Sequence, residues 1–236
     1  MVNSFKLTCN LFLNNYFGLE FITVDKILMI KLIIFDLWKT LAYRDVPEGS
    51  AKTMLRVTNS KIPYSEFVKI FENSLQTKKW ESKFDAYANL CKNMNLSVTE
   101  ENVQLLMSIR DNAENHTKEF EHTIPMHRQL KDGWYKIWLI SNCSVFALEH
   151  VKEKTSILNY IDYPLFSFDV WTIKPDLKIY ERMLEISWCK PEEIIMIWDK
   201  MWDDVLPPRE IWMNSCLFEN YEQLKKDLLD YGIFLK

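Results

Sequence analysis

Glycine is nearly missing from this chain. There are 4 in 236 residues, where average usage of roughly 7% would give about 17. Arginine is scarce too, 6 residues against 23 lysines, and the net charge is −4. No basic face is on offer, which argues against nucleic acid or an anionic membrane as a partner. Disulfide bonding also finds no support. The five cysteines (Cys9, Cys91, Cys143, Cys189 and Cys216) are odd in number, scattered and without metal-ligand spacing. They read as reduced thiols of a cytoplasmic protein. Long apolar runs are lacking as well. In residues 1–28, Asn14, Asn15, Glu20, Asp25 and Lys26 break every stretch that could span a bilayer. That segment has no basic start followed by an apolar run and a small-residue cleavage site. Met29 stands directly before a strong strand, so the native start is expected there, with residues 1–28 an extension.

What is present is tryptophan, nine residues of it, and a regular alternation of patterns. "MIKLIIFDLWKTL" (29–41) is an apolar strand ending in Asp36. From residue 50 to about 121, apolar residues recur at helical spacing, as in "SEFVKIFENSLQTKKW" (65–80), "KFDAYANLCKNM" (83–94) and "TEENVQLLMSIRDNAEN" (99–115). Thr99 with Glu100, Glu101 and Asn102 marks a helix start, and Pro125 punctuates the end of the block. Strands then alternate with helices. "YKIWLISN" (135–142), "LFSFDV" (165–170), "IIMIWD" (194–199) and "MNSCLFE" (213–219) read as strands. Residues 145–155, 175–186 and 221–232 read as helices. Continuous apolar strands alternating with helices predict an α/β fold with a parallel, Rossmann-like sheet covered on both faces. The helical block 46–124 is an insertion into a core formed by 29–45 and 125–236, and reads as an all-helical cap.

In such sheets, ligands bind outside the carboxyl ends of the strands. Four of those ends carry polar groups, in chain order Asp36, Ser141 with Asn142, Lys174 in "IKPDLKIYERML", and Asp199 with Asp203 and Asp204 in "MIWDKMWDDV". Singly, each is an ordinary cap or turn former. Together, with an inserted block after the first, they resemble the haloacid dehalogenase-like hydrolase superfamily over residues 31 to about 220. "FDLWKTL", "LISN", "IKPDLKIYERML" and "MIWDKMWDDV" look like its four motifs.

The resemblance implies the following chemistry. Asp36 would attack phosphorus and form an aspartyl-phosphate that water then hydrolyses. Mg²⁺ would cancel the repulsion between carboxylate and phosphate. Its ligands would be Asp36, the backbone carbonyl of Trp38, Asp199 and Asp204, with Asp203 the lesser candidate. Lys174 would neutralise the nucleophile. Thr40, Ser141 and Asn142 would hold the phosphoryl oxygens. The partner would be a small phosphorylated metabolite. Tyr43, Arg44 and Asp45, just past the first motif, read as hinge residues close enough to reach substrate.

Trp38 departs from the phosphatase pattern. It stands where phosphatases of this superfamily carry the Asp that protonates the leaving group. The 2-haloacid dehalogenase branch has an aromatic residue there and works without metal, so dehalogenation is the first alternative. The second is a binding module that has lost catalysis. This last reading turns on the tryptophans. Trp138, Trp171, Trp188, Trp198, Trp202 and Trp212 fall where glycine is usual, with Trp134 a weaker case. Trp188 follows a helix and precedes a Pro-containing entrance, where a left-handed residue is wanted. One codon, UGA, is read as glycine in some bacterial lineages and as tryptophan in others, so these positions are expected to be native glycines. Trp38 and Trp80, the latter placed on a helix face, are expected to be genuine. As written, the indole of Trp198 should crowd Asp199 and slow turnover.

Overall fold

The computed structural model describes residues 8–10, 23–25, 29–199 and 209–236. Trp202, Asp203 and Asp204 lie outside these residues. Two short strands, β1 (Thr8–Asn10) and β2 (Thr23–Asp25), pair antiparallel.

The core is a five-stranded parallel sheet in the order β7-β6-β3-β8-β9. Its strands are β3 (Leu32–Phe35), β6 (Lys136–Ser141), β7 (Tyr163–Phe166), β8 (Ile194–Trp198) and β9 (Asn214–Leu217). β3 runs through the middle, with Ile33 beside both Ile137 and Ile195. All of β3 and β8 is buried, as strands covered on both faces must be. One face packs through Ile33, Phe35, Ile137, Leu139, Ile195 and Ile197. The other packs through Leu32, Ile34, Ile140, Ile194 and Met196. Alternation along each strand sends successive side chains to opposite layers.

Between β3 and β6 the chain leaves the sheet along β4 (Ala42–Arg44) and returns along β5 (Thr117–Glu119), which pair antiparallel. This two-stranded ribbon carries four helices: α1 (Ser50–Val57), α2 (Tyr64–Gln76), α3 (Lys83–Asn93) and α4 (Glu100–Asn115). They bury a core of their own around Met54, Phe67, Phe71, Leu90 and Leu106. Thr99 caps α4 as expected, its hydroxyl accepting from the Asn102 N–H. Trp80 is not on a helix face. It lies past the end of α2 and packs on this core, its indole N–H donating to the Ser74 carbonyl.

The remaining helices are α5 (Thr123–Asp132), α6 (Val145–Lys154), α7 (Ser167–Val170), α8 (Leu177–Ser187) and α9 (Tyr221–Leu229). Two local expectations are corrected. Pro125 opens rather than ends a segment: it lies in the first turn of α5, where its missing N–H costs no helical bond. The expected strand 165–170 stops at Phe166, and residues 167–170 turn into α7. Ser141, the last residue of β6, pairs with Phe166, and beyond it the ladder has no partner. The Ser167 hydroxyl instead takes the Cys143 N–H and donates to the Gln76 carbonyl.

Four tryptophans have left-handed backbones: Trp134 (φ 65°), Trp171 (57°), Trp188 (56°) and Trp212 (66°). All four are at least 77% exposed. Trp171 and Trp188 are the left-handed caps of α7 and α8. Trp138 and Trp198 differ, being buried in strands β6 and β8.

Candidate active site

The site is built at the carboxyl ends of the three adjacent strands β6, β3 and β8. Asp36 follows β3 and is fixed by its N–H donating to the Ile197 carbonyl of β8 (2.9 Å). Its side chain is only 8% exposed, and one carboxylate oxygen lies 2.7 Å from the Lys174 ammonium, itself 4% exposed. Burial pushes the Asp36 carboxyl up, Lys174 pulls it down, and Asp199 at the end of β8 pushes it up again. Two carboxylates therefore share one neighbourhood. Lys174 is a buried cation beside Asp36, and the exposed Lys39 lies 3.7 Å from Asp199.

The turn after Asp36 is tight. The Leu41 and Ala42 N–H groups both donate to the Leu37 carbonyl, and the Lys39 N–H donates to the Ala42 carbonyl. Lys39 takes φ 64° to close it. Among the described residues, no hydrogen bond is made to the Trp38 carbonyl. A backbone carbonyl oxygen two residues past Asp36, with the Asp36 and Asp199 carboxylates, makes a set of hard oxygen donors of the kind a divalent cation such as Mg²⁺ takes. The residues present thus fit the ion that the sequence suggested. The fourth expected donor, Asp204, is outside the described residues.

Two further expected groups carry unused hydrogen-bonding capacity. The Thr40 and Ser141 hydroxyls are buried and, among the described residues, have no partner. A buried hydroxyl left unpaired costs about 1–3 kcal/mol, which a ligand oxygen would recover.

Asn142 has a second post, through its side chain, beside the one expected of its backbone N–H. Its side-chain amide faces the backbone of Lys174, accepting the Lys174 N–H (2.8 Å) and donating to the Lys174 carbonyl (3.1 Å). It holds in place the lysine that pairs with Asp36. The sequence reading missed this role, because the two residues lie on different loops. It also missed Ser167, which ties the Cys143 end of the same loop to α7 and α2, and Lys39 beside Asp199. Adjacency of Lys39 to the first motif was its only sequence signal.

Trp198 is fully buried beneath this site. Its ring packs edge-on against Tyr180, with centroids 5.4 Å apart, and lies 5.3 Å from the Lys174 ammonium. Trp38 is half-buried, and the Arg44 guanidinium stacks 3.4 Å from its ring centroid.

This chain and its fold have known counterparts. Residues 33–210 match the family model of haloacid dehalogenase-like hydrolases. The chain belongs to that family. A glyceraldehyde 3-phosphate phosphatase of Methanothermobacter thermautotrophicus is 23% identical over 198 residues, covering 80% of this chain and 85% of that one. Among solved structures, a haloacid dehalogenase family enzyme of Bacteroides thetaiotaomicron, in complex with magnesium and inorganic phosphate, superposes with a TM-score of 0.61. It is 15% identical, over 83% of this chain and 98% of that one. A 2-haloacid dehalogenase of Pseudomonas syringae pv. Tomato gives 0.52 at 18% identity, over 80% and 86%. These structural likenesses establish the fold of the hydrolase family and do not choose between its chemistries. No helix among the described residues is long and apolar enough to cross a membrane.

Proposed function

We propose that this hydrolase cleaves small phosphomonoesters, with Asp36 as the nucleophile. The observation that carries the reading is the buried Asp36–Lys174 pair at 2.7 Å with a second carboxylate, Asp199, close enough to raise the Asp36 pKa. Lys174 works against the burial that raises the Asp36 pKa, favouring the ionised nucleophile. A bound Mg²⁺, held by Asp36, Asp199 and the Trp38 carbonyl, would supply positive charge against the phosphoryl oxygens. In the first step a carboxylate oxygen of Asp36 bonds to phosphorus as the bond from phosphorus to the leaving oxygen breaks. In the second, water releases phosphate and restores the carboxylate. The Thr40 and Ser141 hydroxyls are the donors available to the phosphoryl oxygens. The four helices on the β4–β5 ribbon act as a cap over this end of the sheet.

Trp38 cannot protonate a leaving group. A positioned acid is worth about 10²–10⁴-fold, so substrates with good leaving groups should be favoured. p-Nitrophenyl phosphate should be hydrolysed slowly with Mg²⁺ present, with the rate abolished by a chelator and by Asp36→Asn. Halide release from a 2-haloacid that survives the chelator would replace this reading with dehalogenation.

A further inference from the structure

Arg44 leaves the ribbon strand β4 and ends on Trp38, two residues after the nucleophile. Its Nε and Nη2 donate to the two Glu114 carboxylate oxygens at 3.1 and 3.0 Å. The same carboxylate takes the Arg110 Nε at 2.5 Å, and Arg110 reaches the Ser50 hydroxyl at 3.0 Å. Glu114 is 2% exposed, Arg110 11% and Arg44 18%. Two guanidiniums thus share one carboxylate in a nearly dry space. The cluster has an unbalanced positive charge, a costly arrangement unless an anion arrives. The strain shows on Arg44, whose pKa burial and the Arg110 charge push down to about 10. Its third nitrogen, Nη1, has no hydrogen-bond partner among the described residues. The cluster also lies within electrostatic reach of Cys143, next to Asn142 on the second catalytic loop. Asp36 acts on the same Cys143, so the cluster and the nucleophile share that neighbour.

We infer that Arg44 selects the substrate by binding a second anionic group, a carboxylate, carried on the leaving-group side of the phosphomonoester. This rests on the phosphatase reading. Trp38 follows the nucleophile by two residues, and its ring packs 3.4 Å from the guanidinium that the substrate would meet. Glu114 holds that guanidinium from behind with a two-pronged grip, so the open edge is already oriented for a carboxylate. Lysine could not be held this way. The charge needed to balance the cluster is then supplied by the substrate.

The test compares two phosphomonoesters that differ at one carbon, 3-phosphoglycerate with its carboxylate and glycerol 3-phosphate with a hydroxymethyl group. The ratio of their kcat/KM values should favour the carboxylate roughly ten- to a hundredfold. Arg44→Met keeps the contact with Trp38 and deletes the charge, and should bring the ratio close to one. A ratio near one in the unaltered chain, or one that Arg44→Met leaves unmoved, overturns the inference while the phosphatase reading stands. A second readout needs no variant. Phosphonoacetate should inhibit p-nitrophenyl phosphate hydrolysis at concentrations at least roughly tenfold below those of ethylphosphonate, and equal inhibition overturns the inference. If no phosphomonoester turns over at all, the phosphatase reading fails and this inference falls with it.

Discussion

Trp188 stands at the left-handed end of α8 with its side chain 95% exposed, a position where an indole gains nothing and a Cβ is strained. The same holds for Trp134, Trp171 and Trp212. Left-handed backbone costs a non-glycine residue about 1–2 kcal/mol, part of which glycine returns through the entropy of its unfolded chain. Each of Trp134→Gly, Trp171→Gly, Trp188→Gly and Trp212→Gly should therefore raise the unfolding free energy in denaturant by about 1 kcal/mol. Trp80→Gly should lower it, since Trp80 loses an indole hydrogen bond and its packing. Four destabilised variants at the left-handed sites would refute this account. The pattern is what glycine codons read as tryptophan would leave. That reading expects UGA at positions 138, 171, 188, 198, 202 and 212 of the gene and UGG at 38 and 80, and the backbone angles support it at 171, 188 and 212. Trp134, the weaker case from sequence, is as clear as the others by backbone angle. Trp138 and Trp198 lie in strands, where backbone geometry makes no case for glycine.

At the scale of elements, α5 carries a liability that its sequence did not advertise. His127 is fully buried against Phe35, with ring centroids 5.2 Å apart, and neither ring nitrogen has a partner among the described residues. Burial, with Lys131 and His122 adding to it, pushes its pKa from 6.5 down to about 3. The unfolded chain takes up a proton near pH 6.5 and the folded chain does not. Stability is therefore complete above that pH and falls as pH drops toward 3, by about 1.4 kcal/mol per unit from this residue. His127→Leu should flatten the dependence of the urea midpoint on pH between 6 and 4, and an unchanged slope would contradict the assignment. The elements themselves were largely legible. Strands buried on both faces show as unbroken apolar runs, and Thr99 announced α4. The ribbon β4–β5 was not legible, because three residues per strand are too few to set a period. Nor was the turn into α7, because Ser167 is held by contacts to Cys143 and Gln76, far apart in sequence.

For the molecule as a whole, the order of strands decides what the motifs can do. The sheet order β7-β6-β3-β8-β9 sets Asp36 between the ends of β6 and β8, so residues more than 160 positions apart, Asp36 and Asp199, feel each other's charge. The sequence announced which strand ends carry the polar groups that the sheet brings together. It did not announce how they are held, because the grip of Asn142 on the Lys174 backbone and the Arg44–Glu114–Arg110 cluster are tertiary contacts between residues with no common spacing. The central claim is that Asp36 becomes covalently phosphorylated. The direct measurement is mass analysis of the Asp36-containing peptide after the enzyme, loaded with Mg²⁺, is mixed with p-nitrophenyl phosphate and quenched in acid within a turnover. The account expects that peptide to gain the mass of one phosphoryl group, and Asp36→Asn to show none. Nitrophenol release with the peptide unmodified at every quench time would contradict it.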